Sequence, residues 1–113
     1  MLAVIFEVIP TSDGKPEYLR LAAELRTFLE AADGFISIER FQSLSDENKI
    51  LSLSFWRDED SISAWRNLLE HRQAQQKGKN LLFSSYRIRV AEICRDYTSK
   101  DRKQAPGDSN DIL

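Results

Sequence analysis

The 113-residue chain reads as a single α+β domain in the order βαββαβ. Three observations predict it: four short segments read as strands, one apolar on both faces and three alternating apolar and polar residues, two longer ones repeat apolar residues at helical spacing, and turn residues separate the six. Two amphipathic helices on one face of a four-stranded antiparallel sheet make the split βαβ, or ferredoxin-like, arrangement.

The first strand, Leu2 to Ile9, is apolar on both faces. Leu2, Val4, Phe6 and Val8 share one; Ala3, Ile5 and Ile9 share the other with Glu7. Such a strand is expected at the centre of a sheet, covered on both sides. Thr11-Ser12-Asp13-Gly14-Lys15-Pro16 is a turn cluster, and Pro16 suits a first helical turn, where its missing N–H would be unpaired anyway. Tyr18, Leu21, Ala22, Leu25, Phe28, Leu29 and Ala32 then recur at helical spacing, and Gly34 is placed to end the helix in a left-handed conformation.

Phe35 to Leu44 alternates, with Ile36 and Ile38 on one face and Ser37, Glu39 and Phe41 on the other. Ser45 to Asn48 has hairpin-turn length. From Lys49 to Trp56, Leu51, Leu53 and Phe55 oppose Ser52, Ser54 and Trp56, and the first set is expected beneath the helices. Asp58 can cap the second helix, and Glu59 and Asp60 favour its positive end. Ile62, Trp65 and Leu69 mark its buried stripe, which fades before Gly78. Tyr86 to Cys94 is the last strand, with Tyr86, Ile88 and Val90 opposing Arg87, Arg89, Ala91 and Ile93. The domain is expected over residues 1–97, and residues 98–113 as a polar tail, flexible or ordered against a partner.

Composition narrows the function classes. Sixteen Lys and Arg against eighteen Asp and Glu give no electrostatic case for nucleic acid or an anionic membrane surface. No stretch approaches the roughly 20 apolar residues of a bilayer span. The N-terminus shows no basic region or cleavage site of a signal peptide, and one cysteine makes no internal disulfide, so a cytoplasmic location is expected. Cys94, in an apolar stretch, is expected to be buried. With one His, one Cys and no Gly-rich loop, zinc spacings, phosphate loops and a Ser-His-Asp order are all absent. The sheet face away from the helices should carry Ile5, Phe41 and Trp56 among Glu7, Glu39, Arg87 and Arg89. It is too apolar for open water, so a homodimer with the two sheets face to face is expected.

Three segments, FISIERF (35–41), ILSLSFWRDEDSISAWRNLLEHR (50–72) and YRIRVAEICRDY (86–97), have a shared pattern. A strand ending in Phe-Trp, an acidic helix start, a Trp nine residues on and a His six later resemble the antibiotic biosynthesis monooxygenase family of dimeric α/β barrels, over roughly residues 1–97. That resemblance implies a homodimer and an activity among oxygenases that oxidise polycyclic aromatic substrates without metal or flavin, a quinol oxygenase, haem-degrading enzymes and members of unassigned activity. It places Trp65 at the pocket-lining tryptophan and His71 where several members carry a polar ring. Ser61 stands where some cofactor-free oxygenases carry Asn. Haem-degrading members combine a first-strand Asn, this Trp and a His about ten residues after it; here those flanking positions are Phe6 or Glu7 and Gln75. Tight haem binding is therefore not expected, nor is any other bound cofactor or metal.

A cofactor-free oxygenase needs a water-excluding pocket, a base for a phenol proton and a group to hold the resulting anion. His71 suits the proton step. Trp65 can stack on an aromatic ring, and Arg72 and Arg87 are the substrate-binding candidates for a phenolate. Each has a plainer role. Trp65 lies on the core stripe. His71 is about 600° of helix beyond it, so about 120° off its direction, whereas Arg72 falls almost over it. Where Arg72 and Gln75 interrupt the stripe, a cavity under the second helix is expected. The expected function is that of a small cofactor-independent monooxygenase-like protein oxidising an aromatic or quinol-type small molecule; the alternatives are a non-catalytic ligand-binding or stress-associated dimeric domain of the same fold and a haem-binding or haem-degrading member.

Overall fold

The computed structural model describes residues 1–75 and 83–109, and for residues 70–75 the backbone alone. Its elements are β1 (Leu2–Pro10), α1 (Gly14–Glu30), β2 (Phe35–Gln42), β3 (Ile50–Trp56), α2 (Glu59–Gln75), β4 (Phe83–Glu92) and a short 3-10 turn, Gly107–Ser109. The four strands form one antiparallel sheet in the order β2-β3-β1-β4. This is the expected ferredoxin-like α+β fold, and the doubly apolar β1 is indeed an inner strand. The predicted helix end at Gly78 lies outside the described residues.

One side of the sheet packs against the helices in two clusters. Val8, Tyr18 and Ile50 form the first, with Phe6 and Phe83 against them. Leu29, Trp56 and Ile62 form the second, joined by Leu2, Val4, Phe35, Ile38 and Trp65. Their aromatic rings meet edge to face, at 5.4 Å for Tyr18 with Phe83 and for Phe35 with Trp56.

The register corrects the expected faces of β3. Trp56 pairs with Leu2 and Ser54 with Val4, so the even-numbered residues lie under the helices. Trp56 is 2% exposed there, and Ser52 and Ser54 are buried with it. Leu51, Leu53 and Phe55 lie on the other face. Small serines beneath the helices leave room for Tyr18, Leu29, Ile62 and Trp65, and Ser54 Oγ accepts the Trp56 indole N–H at 2.9 Å. The strand is apolar enough on both sides that alternation alone permits either assignment, and a one-residue error exchanges the faces. In β2 the register shifts between Phe35 and Ser37. That irregularity separates Ile36, which is exposed, from Ile38, with which it was expected to share a face.

Gly34 does not cap α1, which ends earlier; it opens β2 with φ +81°. Its carbonyl accepts the Arg57 N–H at 2.8 Å. A Cβ at this position would lie 1.9 Å from Ser61 Oγ. Conformation and close approach both require glycine here.

Beyond β4 the chain continues as an arm. Cys94 is exposed rather than buried, because the strand ends at Glu92 and Cys94 lies on the departing segment. Thr98 N–H donates to Asp101 O, the Asp96 N–H donates to Gln104 Oε1, and Arg102 lies over the Tyr97 ring while donating to Ser109 O. No helix among the described residues is long and apolar enough to cross a membrane.

Candidate functional site

The sheet-side end of α2 is fixed by its cap. Asp58 Oδ1 accepts the backbone N–H of Ser61 at 2.9 Å and the Ser61 hydroxyl at 2.5 Å, so the predicted cap is present. Arg57 joins it by donating to Asp58 at 2.8 Å and to both carboxylate oxygens of Asp33. The Ser61 hydrogen bond first, and Arg57 second, hold the Asp58 carboxyl far below the usual carboxylate range. Arg57 likewise lowers Asp33 and is itself raised, chiefly by the hydrogen bond to Asp33. Ser61, buried under Gly34 and committed to Asp58, is a structural residue in this chain.

The cap sets the phase of α2 and so aims Trp65 at the sheet. Its ring lies 6.3 Å from that of Trp56, tilted by 34°, and is half-buried. On the same, helix side of the sheet but two strands from Trp56, β4 presents Tyr86, Ile88 and Val90, which are 63%, 54% and 47% exposed. Ile88 pairs with Phe6 and Val90 with Val4, so these side chains continue the core outward as an open apolar shelf. The Tyr86 ring meets those of Phe6 and Phe83 at 5.9 and 6.2 Å.

The expected site residues divide. Trp65 lies on the same side of the sheet as the shelf, packed against the cluster of Leu29, Trp56 and Ile62. His71 and Arg72 belong to α2 beyond Trp65, and their side chains lie outside the described residues, as does the predicted boundary of a cavity at His71. Arg87 pairs in register with Glu7 on the opposite face of the sheet. Within one protomer Arg87 and Trp65 therefore do not line the same space. Site prediction missed the β4 shelf. Its signal was three apolar residues at alternate positions on a strand that the topology makes an edge.

Among the described residues no group of three or more His, Cys, Asp or Glu side chains is arranged to hold a metal ion. Of the two residues at the first-strand position, Phe6 is packed against Phe83 and Tyr86 and offers no polar atom, and Glu7 lies on the other face, near Arg89 and Lys49.

A family model described as antibiotic biosynthesis monooxygenase matches residues 1–77. The jasmonate monooxygenase ABM of Pyricularia oryzae is 42% identical over 104 residues, which cover 92% of this chain and 48% of that protein. This chain thus spans about half the length of that relative. Among solved structures, the haem-degrader MhuD of Mycobacterium tuberculosis with two haems bound superposes with a TM-score of 0.66 at 17% identity, covering 87% of this chain and all of that one (100%). SnoaB, a cofactor-independent oxygenase from Streptomyces nogalater, gives 0.64 at 14% identity, covering 84% and 94%. At those identities the structural likeness establishes the fold alone. The matched family model, spanning both helices and the first three strands, together with the 42% relative, places this chain in the antibiotic biosynthesis monooxygenase family.

Proposed function

We propose that this protein is a monooxygenase that takes a small, flat, apolar molecule onto the helix-side shelf of its sheet, and that it works as a homodimer. The observation that carries the reading is the row Tyr86, Ile88 and Val90, an apolar surface continuous with the core but left open, on the same side of the sheet as the half-buried Trp65. Concave or stepped apolar surface with a few polar groups at its rim is what small-molecule sites use. Trp65 or Tyr86 would stack on a ring. His71, on the following turns of α2, would take a phenolic proton, and Arg72 would hold the anion. Arg87 belongs to the other face and is left to subunit contact.

An aromatic phenol or quinol supplies the electrons itself. The phenolate reduces dioxygen, one oxygen atom becomes a ring carbonyl, and the other leaves as water with the two hydrogens lost by the phenol. The reaction, phenol plus dioxygen to quinone plus water, balances without a further reductant. The 42% identity to a jasmonate monooxygenase favours a second substrate class, an alicyclic ketone acid. Hydroxylating an unactivated carbon of such a molecule needs two electrons from a donor. Oxygen uptake by the purified protein tests both. A naphthol or hydroquinone consumed without added reductant, with one heavy-oxygen atom appearing in the product, supports the first class. Uptake with jasmonate that requires a reductant supports the second. No product from any of these, with tight binding of the same molecules, would make the protein a binding domain of this fold.

A further inference from the structure

Strand pairing sets four side chains in one row on the helix side of the sheet. Arg40 on β2 is opposite Ser52 on β3, Ser52 is opposite Phe6 on β1, and Phe6 is opposite Ile88 on β4. The row is polar at its β2 end and apolar at its β4 end, where it joins the shelf. The polar end is short of partners. Half-buried Arg40 donates one long hydrogen bond, from Nε to the Tyr18 hydroxyl at 3.4 Å, and has no ion-pair partner among the described residues. A guanidinium has several further N–H groups to donate. The carboxylates of α1 are engaged on their own helix: Glu17 and Glu24 pair with Arg20, and Glu30 with Arg26. A second cation, Lys15 of α1, donates at 3.3 Å to Gln42, two residues beyond Arg40 on the same side of β2. Next to Arg40 in the row, Ser52 is 7% exposed, and among the described residues its hydroxyl has no hydrogen-bond partner. Buried hydroxyls are as a rule paired, because an unmade hydrogen bond leaves their desolvation uncompensated.

Resting on the small-molecule reading above, we infer that Arg40, with the hydroxyls of Ser52 and Tyr18, anchors a carboxylate, so that the molecule held on the helix side is an apolar acid. The planar fork of Arg40 matches the two oxygens of a carboxylate, and each hydroxyl can donate a further hydrogen bond to them. A neutral phenol covering Arg40 would take its charge out of water without compensation, which is costly. A phenolate offers the fork one oxygen instead of two. The apolar body of the acid then lies along the row, over Phe6 and toward Ile88. From β2 to β4 is three strand spacings, about 14 Å at about 4.8 Å each, a span that Arg40 reaching inward and a fused two-ring acid share between them.

The test compares naphthoate with naphthol, the same ring system with a carboxylate or a neutral hydroxyl, by calorimetry on the full chain at neutral pH. Naphthoate should bind about tenfold or more tightly than naphthol, the scale of a hydrogen bond to a charged group. Arg40→Gln should abolish that preference and leave naphthol binding unchanged, which also shows that the variant is folded. Ser52→Ala removes one oxygen only, and should weaken naphthoate by about threefold or more while sparing naphthol. Equal affinities in the wild type, or a preference that survives Arg40→Gln, would overturn the anchor and leave the small-molecule site standing. Equal losses of both ligands in Arg40→Gln and in Ser52→Ala would also overturn it, because packing and not charge would then be what the variants change. A wild-type chain that binds neither compound would overturn the small-molecule reading and this inference together.

Discussion

Trp65 lies tilted over Trp56, with ring centroids 6.3 Å apart, yet the two rings differ in environment: Trp56 is 2% exposed and Trp65 only half-buried. They should therefore separate on mutation. Trp56→Ala should cost about 3–5 kcal/mol of unfolding free energy, the range for emptying a large aromatic site. Trp65→Phe should cost clearly less, because it keeps an aromatic ring and a half-buried side chain loses less burial than a core one. Urea unfolding followed by circular dichroism measures both. Equal, large losses would make Trp65 a core residue like its neighbour.

Gly34→Ala should destabilise the fold by about 1–3 kcal/mol, because it adds a Cβ at positive φ. Ser61→Ala should not rescue it, since the Ser61 Cβ itself would lie 2.6 Å from the new atom. A double variant as stable as Ser61→Ala alone would show that the conformation there relaxes freely.

Asp58 gives the stability a pH dependence with a defined sign. Its folded pKa lies below the unfolded value, so its contribution is complete above the ordinary carboxylate pKa of about 4 and fades as the pH falls below that. Asp58→Asn keeps an oxygen to accept the Ser61 N–H but removes the charge. It should lower stability at neutral pH and flatten the loss between about pH 4 and pH 2. Thermal unfolding across that range checks this; an acid limb as steep as that of the wild type would place the titration elsewhere.

Phe41→Glu should reduce self-association while leaving the protomer folded. Phe41 is 42% exposed in the single chain, so a carboxylate is solvated there until a second sheet covers it. Sedimentation velocity with circular dichroism separates the two effects. An unchanged dimer would remove Phe41 from the contact.

The fold was legible because its signals are local and repeated. The helical spacing from Tyr18 to Leu29, the doubly apolar first strand, the alternation of the other three and Asp58 ahead of its acidic turn all point to the same elements. What could not be read depended on register and on neighbours. Trp56 and Phe55 are adjacent large aromatics, and either could face the helices until pairing with Leu2 decides it. Gly34 looked like a helix cap because the close approach of Ser61 is a contact across 27 positions of sequence. At the candidate site, helix periodicity singled out Trp65. The shelf required knowing that β4 is an edge strand which α2 does not cover, and that is a property of topology.

The central claim, a small-molecule site on the helix side of the sheet, is tested most directly by a two-dimensional NMR titration with a naphthol. The account predicts that shifts concentrate at the Trp65 indole N–H and the methyls of Ile88 and Val90, and that Trp65→Phe weakens the binding. Shifts confined to the other face, at Phe41, Leu53 and Phe55, or none at millimolar ligand, would contradict it.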